Sequence, residues 1–176
     1  MEIKLPRYRD LPDLPLYANQ MIAVSERILK ELMAEEKVPT ASMLHNYIVM
    51  GLISPPEGKY YKREHLSRLL VICAFKDIFA LQEIDALFAL QRRYCSTEMA
   101  YDTFCSEFER CVAYAAGDVD CLPQPESGTF QGHLLRVMCL SLACKYAVNK
   151  MALTDSGEEA EFSEKSGCAA AENYVK

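Results

Sequence analysis

The side chains best suited to binding chemistry in this sequence lie between positions 38 and 76. This window carries five Lys and Arg against two Asp and Glu, a net charge of +3, whereas the rest of the chain carries -9. Duplex DNA attracts cations because binding releases its condensed counterions, so one basic window in an acidic chain predicts a local contact with DNA. The total charge of -6 argues against a surface that binds nucleic acid everywhere.

Three cations follow a turn rich in Pro and Gly at 55–58. Lys62 and Arg63 lie at the start of a predicted helix, where the helix dipole is positive and each exposed cation costs roughly 0.3 to 1 kcal/mol. We interpret these two residues and Lys59 as contacts to phosphate oxygens, with the ring and hydroxyl of Tyr60 against the sugar backbone. The alternative is an ordinary solvated turn in which Glu64 offsets the unfavourable charges.

A second set of polar residues lies on the short predicted helix 41–50. Thr40 is placed to cap its first amides, and Gly51 follows it at the position where helices most readily end. A short helix that follows another helix across a tight connection is typical of a helix-turn-helix, whose second helix enters the major groove. The candidate DNA-contacting residues of this helix are Thr40, Ser42, His45, Asn46 and Tyr47.

The polar side chains of this helix differ in the DNA groups that they can bond. Asn46 can bond the N6 and N7 edge of adenine, and Ser42 can bond either a base or the backbone. Tyr47 is a better core candidate, together with Met43, Leu44 and Ile48, although its hydroxyl could reach a phosphate. The alternative for each polar residue is an ordinary exposed position on a solvated helix.

The sequence contains no motif of an enzyme, a metal site or a cofactor site. It lacks a phosphate-binding loop, a Gly-x-Ser-x-Gly elbow and a His-Glu-x-x-His pair, so we expect no catalytic activity. Histidines occur only at 45, 65 and 133, and no Cys-x-x-Cys pair occurs, so we expect no metal ion. The eight cysteines are interpreted as reduced core residues, with a redox switch as the alternative for Cys95, Cys105, Cys111 or Cys121.

The 176 residues, 51% of them apolar, are enough for one domain with a sizeable core. The residues 1–17 contain no apolar signal segment, and the longest central apolar run, 69–75, is too short to cross a bilayer, so we expect a cytoplasmic protein without a membrane span. Apolar residues at helical spacing predict helices over about 17–33, 41–50, 63–79, 81–93, 96–116 and 130–153. The pieces 52–54 and 59–61 predict a small β-hairpin, or wing.

The window resembles the winged helix-turn-helix of MerR-type regulators. The residues that carry this resemblance are Met43-Leu44-His45-Asn46-Tyr47, Gly51-Leu52-Ile53, Pro56, Lys59-Tyr60-Tyr61, Leu66 and Phe79-Ala80-Leu81-Gln82-Glu83-Ile84. A closer resemblance starts earlier, at Leu5-Pro6-Arg7, Leu11-Pro12-Asp13-Leu14 and Leu16-Tyr17, to the bacterial domain-of-unknown-function family numbered eighteen thirty-six. That resemblance implies a small MerR-like regulator without an established ligand.

The sequence departs from the MerR pattern at three places. His45 and Asn46 stand where MerR proteins have Arg-Tyr, and Lys59 replaces the wing arginine, which keeps the charge but loses the planar fork. The long C-terminal dimerisation helix is absent. Helices 96–116 and 130–153 are expected to replace it and to form a homodimer, although the same residues would also serve as a core or as an apolar effector pocket.

The sequence therefore predicts a mainly α protein, a MerR-like winged helix-turn-helix with a β-hairpin wing and additional C-terminal helices. The predicted divisions are a Pro-rich lead-in at 1–18, the winged helix-turn-helix at 19–93, a helical pair at 94–154 and an acidic, weakly ordered tail at 155–176. The predicted function is a DNA-binding transcriptional regulator, with helix 41–50 in the major groove of double-stranded DNA and wing 52–63 on the phosphates. The alternative is a winged-helix module that binds another protein and no DNA.

Overall fold

The computed structural model describes residues 3–32, 39–119, 122 and 128–154. These residues form six helices: α1 (Ala18–Leu32), α2 (Ala41–Val49), α3 (Arg63–Phe75), α4 (Leu81–Tyr94), α5 (Thr97–Ala115) and α6 (Phe130–Thr154). The mainly helical prediction is confirmed, and the helix bounds agree closely with the apolar spacing. The predicted tail 155–176 and Cys121 lie outside the described residues. None of the described helices combines the length and the apolar character that a membrane span requires.

The third helix occupies the centre of the protein. It is buried at nearly every position between 65 and 75, because its apolar residues occur on all sides rather than on one face. Phe75 of this helix packs edge-on against Phe104 of α5, with ring centroids 5.4 Å apart. The central helix therefore joins the window 38–76 to the C-terminal helical pair.

Helices α5 and α6 form the most extensive helix-to-helix contact. The apolar stripe of α5 is buried in this contact, where the rings of Phe104 and Phe108 stack with centroids 6.1 Å apart. A buried ion pair crosses the same contact, in which Arg136 donates from Nε and Nη2 to Glu107 Oε2 over 2.9 and 2.8 Å. The stripe of α5 that we expected at a subunit interface is therefore filled from within the protein.

The Pro-rich lead-in is an ordered segment that lies along α5. In residues 3–16, which we call the N-terminal segment, the amide of Leu5 donates to Glu109 Oε1 over 2.9 Å and the amide of Tyr8 donates to Asp102 Oδ1 over 2.7 Å. Arg7 also pairs with Glu109, at 2.6 Å. The acidic face of α5 therefore supplies acceptors for a backbone that has no strand partner there.

The predicted β-hairpin wing is not formed. No strand is present between residues 39 and 119, and the pairing there is limited to two isolated bridges, Glu57 with Tyr60 and Tyr61 with Leu16. The amides of Leu52 and Ile53 instead donate to the carbonyl of Tyr47 at the end of α2. Because the amides of Leu52 and Ile53 are used by Tyr47, and the N–H and carbonyl of Tyr61 are used by Leu16, these groups are not available for a hairpin between 52–54 and 59–61.

Candidate nucleic-acid interface

Both ends of α2 are fixed by local interactions. Thr40 Oγ1 accepts a hydrogen bond from the amide of Met43 over 3.2 Å, as its cap position predicts. At the other end, Gly51 has a φ of 76° and its amide donates to Ile48, while the amide of the next residue, Leu52, donates to Tyr47. This pair of bonds is a Schellman motif, which requires a left-handed residue at the glycine. The predicted start and stop of this helix are confirmed.

The two faces of α2 differ sharply in exposure. Leu44 and Tyr47 point into the core at 2% and 4% exposure, whereas Ser42, His45 and Asn46 are exposed. The outer face ends in two exposed apolar residues, Val49 and Met50. The sequence placed the polar residues and Val49 on the correct face because one apolar stripe determines which side of a helix is buried.

Tyr47 cannot make the contact to a phosphate that the sequence allowed for its hydroxyl. Burial raises the pKa of its phenol to about 12, and its ring lies in the core with Leu44. A buried phenol cannot reach a ligand at the surface without unpacking the helix. Tyr47 is therefore a core residue that holds α2 in place.

The turn after α2 presents a cation between two aromatic rings. Lys59 Nζ lies 5.3 Å from the centroid of the Tyr17 ring and 5.7 Å from that of Tyr60. The two phenol oxygens are 3.4 Å apart, and this hydrogen bond raises the pKa of Tyr60. All three side chains are exposed, and no acidic partner of Lys59 occurs in the described ranges. We call Tyr17, Lys59 and Tyr60 the Lys59 cluster.

Lys62 has an acidic partner and a structural role. Its ammonium group pairs with Glu57, and its amide donates to Nδ1 of the buried His65 over 2.8 Å. The imidazole, at the third position of α3, therefore accepts from the N-cap amide as the third side chain of a capping box does. The side chain of Lys62 remains half exposed, so a phosphate would have to compete with Glu57 for it.

Arg63 is committed to the N-terminal segment. Its Nε donates to the carbonyl of Leu11 over 3.0 Å, and its Nη2 lies 3.4 Å from the carboxylate of Asp13. Its guanidinium also faces the ring of Tyr8 at 5.6 Å. The unfavourable position of Arg63 at the start of a helix is thus explained by contacts 50 or more residues away in sequence, with Leu11 and Asp13, and not by a free phosphate site.

The structure brings the predicted site residues together in two groups, the outer face of α2 and the Lys59 cluster. Sequence reasoning missed Tyr17, which we placed on the apolar face of the first helix. The structure leaves it 42% exposed just before α1. No signal in the sequence separates Tyr17 from the helix, because it lies four residues before Met21 and fits the helical spacing.

A family model described as "Domain of unknown function (DUF1836)" matches residues 6–104. The chain belongs to this family. The DUF1836 match spans most of the N-terminal segment, α1 to α4 and the first turns of α5, so both groups of candidate residues fall inside it. The resemblance to this family is confirmed. No curated protein and no solved structure matches the chain, and the MerR resemblance stays a prediction.

Proposed function

We propose that this protein is a DNA-binding transcriptional regulator with a MerR-like helix-turn-helix. The observation that carries the proposal is the outer face of α2, where Ser42, His45 and Asn46 are exposed on a helix whose opposite face is buried. Such a helix can enter the major groove without unfolding anything, and its amide and hydroxyl groups match the donors and acceptors of base edges.

The Lys59 cluster is proposed as the contact to the phosphate backbone. Lys59 brings a cation without an acidic partner in the described chain, and the hydrogen-bonded phenols of Tyr17 and Tyr60 leave one hydroxyl donor beside it. Phosphate contacts of this kind fix the position of a protein on the duplex without reading its sequence. Lys62 can contact a phosphate only if its ion pair with Glu57 breaks.

We further propose a homodimer through α6, since one copy of a short recognition helix reads few base pairs. Phe130, Val137, Cys144 and Met151 recur every seven residues on α6, and all four are exposed. A seven-residue repeat of this kind keeps one seam facing a partner helix. The partner helix comes from a second copy of the chain, because a two-fold axis places the same α6 stripe on both sides of the interface. Val137→Glu should convert a dimer to a monomer in sedimentation equilibrium.

A random-oligonucleotide binding selection at two salt concentrations tests the function. The wild type is expected to enrich a sequence, and Asn46→Ala is expected to relax the preference at one position, by about 1–3 kcal/mol of discrimination. Lys59→Ala should weaken binding to all sequences alike and lower the salt slope by about one. Arg93→Ala, which removes an exposed cation from α4, is the matched control and should change neither. Absence of binding at low salt would refute the proposal.

A second candidate is a helical module that binds another protein and no DNA. The observation in its favour is the apolar end of the outer face of α2, where Val49 is 72% and Met50 45% exposed. Exposed apolar side chains next to polar ones are typical of protein interfaces rather than of major-groove contacts. In this case Val49→Ser abolishes binding to the partner protein, and the wild type has no affinity for DNA at low salt.

A further inference from the structure

Among the described residues, two buried guanidinium nitrogens have no acceptor, Nη1 of Arg7 and Nη1 of Arg68, and Arg7 donates to Glu109 through its other terminal nitrogen. Arg68 of α3 lies over the ring of Phe88, with its guanidinium carbon 4.8 Å from the ring centroid. Its Nη1 is buried, and no acceptor in the described chain lies within hydrogen-bond distance of it. Buried polar groups in proteins nearly always have a partner, and the cost of an unpartnered N–H is largest for a charged group.

The charged residues around Arg68 do not supply the missing acceptor. Burial and then the charge of Arg92 lower the pKa of Arg68, while the smaller effects of Glu64 and Asp85 oppose them. Asp85 pairs with Arg92 at 3.5 Å instead, and Arg68 forms no ion pair within the described ranges. An anion close to Arg68 would therefore be held by a cation that has no competing carboxylate.

Arg68 lies next to a pair of cavities. It lines a small one of about 20 Å³ between α3, α4 and α5, which has room for about one water-sized group. A larger cavity of about 520 Å³ lies between the end of α4, the start of α5 and the start of α6. The two share Gln91 and Ala100 in their walls. The larger volume is within the usual range for a small-molecule site, roughly 300–1,000 Å³.

We propose that this pair of cavities binds a small monocarboxylate with an apolar body. Arg68 is the one charged residue among those that line either cavity, which favours a ligand with a single negative charge. The small cavity has room for one carboxylate oxygen, which can accept a hydrogen bond from Nη1 of Arg68 while the rest of the ligand lies in the larger cavity. The apolar body contacts Tyr94, Met99 and Leu135 in the larger cavity.

Calorimetry with octanoate and with octan-1-ol on the full chain tests this proposal. The two probes have similar apolar bodies, and octanoate is expected to bind the wild type at least about tenfold more tightly, as a charge-assisted hydrogen bond provides. Arg68→Met keeps an unbranched apolar stem and removes the guanidinium that lies over Phe88, and it should remove the preference for octanoate. Arg68→Lys should retain part of that preference. Arg93→Met, which removes an exposed charge from α4, should leave it unchanged.

Met99→Glu provides a second variant, in case Arg68→Met fails to fold. Met99 lines the larger cavity and is 60% exposed, so a carboxylate there repels octanoate without disturbing the core, and it should weaken octanoate more than octan-1-ol. Equal affinity of the wild type for the two probes, or no saturable binding of octanoate, would overturn the proposal. So would an unchanged preference for octanoate in Arg68→Met.

Discussion

Glu107→Ala should destabilise the protein more than any other single truncation at the contact between α5 and α6. Glu107 is 2% exposed and accepts from two nitrogens of Arg136, whose side chain is 9% exposed. Removal of the carboxylate takes away the ion-pair partner of a buried guanidinium, which typically costs about 3–5 kcal/mol. A domain is stable by roughly 5–15 kcal/mol in total, so the variant should approach the limit of folding.

The assay is urea unfolding followed by far-ultraviolet circular dichroism. With a slope of about 2 kcal/mol per molar urea, a loss of about 4 kcal/mol lowers the midpoint by about 2 M. Arg110→Ala is the control, because Arg110 donates to the other oxygen of Glu107 over 3.3 Å from a side chain that is 33% exposed. That contact is partly screened by solvent, and its loss should cost less than about 1 kcal/mol.

Replacement of both Glu107 and Arg136 distinguishes the effect of an unpaired charge on stability from the effect of lost packing. Glu107→Leu with Arg136→Met removes the two charges together and should recover most of the stability that Glu107→Ala loses, because no unpaired charge remains. The reasoning would be refuted if Glu107→Ala cost no more than Arg110→Ala, or if the double variant were as unstable as the single one. Either result would mean that water already compensates the charge of Arg136.

Three further outcomes are expected. Gly51→Ala should cost about 1–2 kcal/mol in thermal unfolding, because φ is 76° there although the added methyl group meets no atom within 4 Å; an unchanged midpoint would contradict the strain. Asp102→Ala removes the acceptor of the Tyr8 amide and should raise the rate of trypsin cleavage in the N-terminal segment about tenfold, which an equal rate would exclude. Burial raises the pKa of the Cys73 and Cys105 thiols from 9.0 to about 12, so the stability they contribute is present below pH 9 and is lost as pH rises toward 12. The free energy of unfolding should therefore fall by about 1 kcal/mol per thiol at pH 10. A free energy of unfolding that stays constant from pH 8 to 10 would argue against this.

The candidate site was partly predictable from sequence because part of it is local. The cap at Thr40, the stop at Gly51 and the buried face of α2 all follow from residues within a few positions of each other. The role of Arg63 was not predictable in the same way. Its acceptor at Leu11 is 52 residues away, and only the docked N-terminal segment brings the two together.

The wing is the clearest case in which local signals misled. Pro and Gly between two short apolar runs predicted a hairpin, yet Leu52 and Ile53 are buried and donate to Tyr47 instead. Tyr61 pairs with Leu16, a residue that no local pattern connects to it. Strand pairing depends on which backbone groups are free after the helices have packed, and sequence spacing does not record this.

The sequence alone determined the elements: six helices, most of their ends, the buried stripes of α2 and α5 and the basic window between 38 and 76. These follow from capping chemistry and from an apolar period of 3.6 residues, both of which act within one helix turn or a few. Only the tertiary structure decided what each stripe and charge contacts. It filled the stripe of α5 from α6 and paired Lys62 and Arg63 with acids. Among the described residues it gave Lys59 no acidic partner, and it placed Arg68 beside a cavity. The reason is that contacts between distant residues are settled by which surfaces pack together and exclude water, a property of the whole fold rather than of any segment.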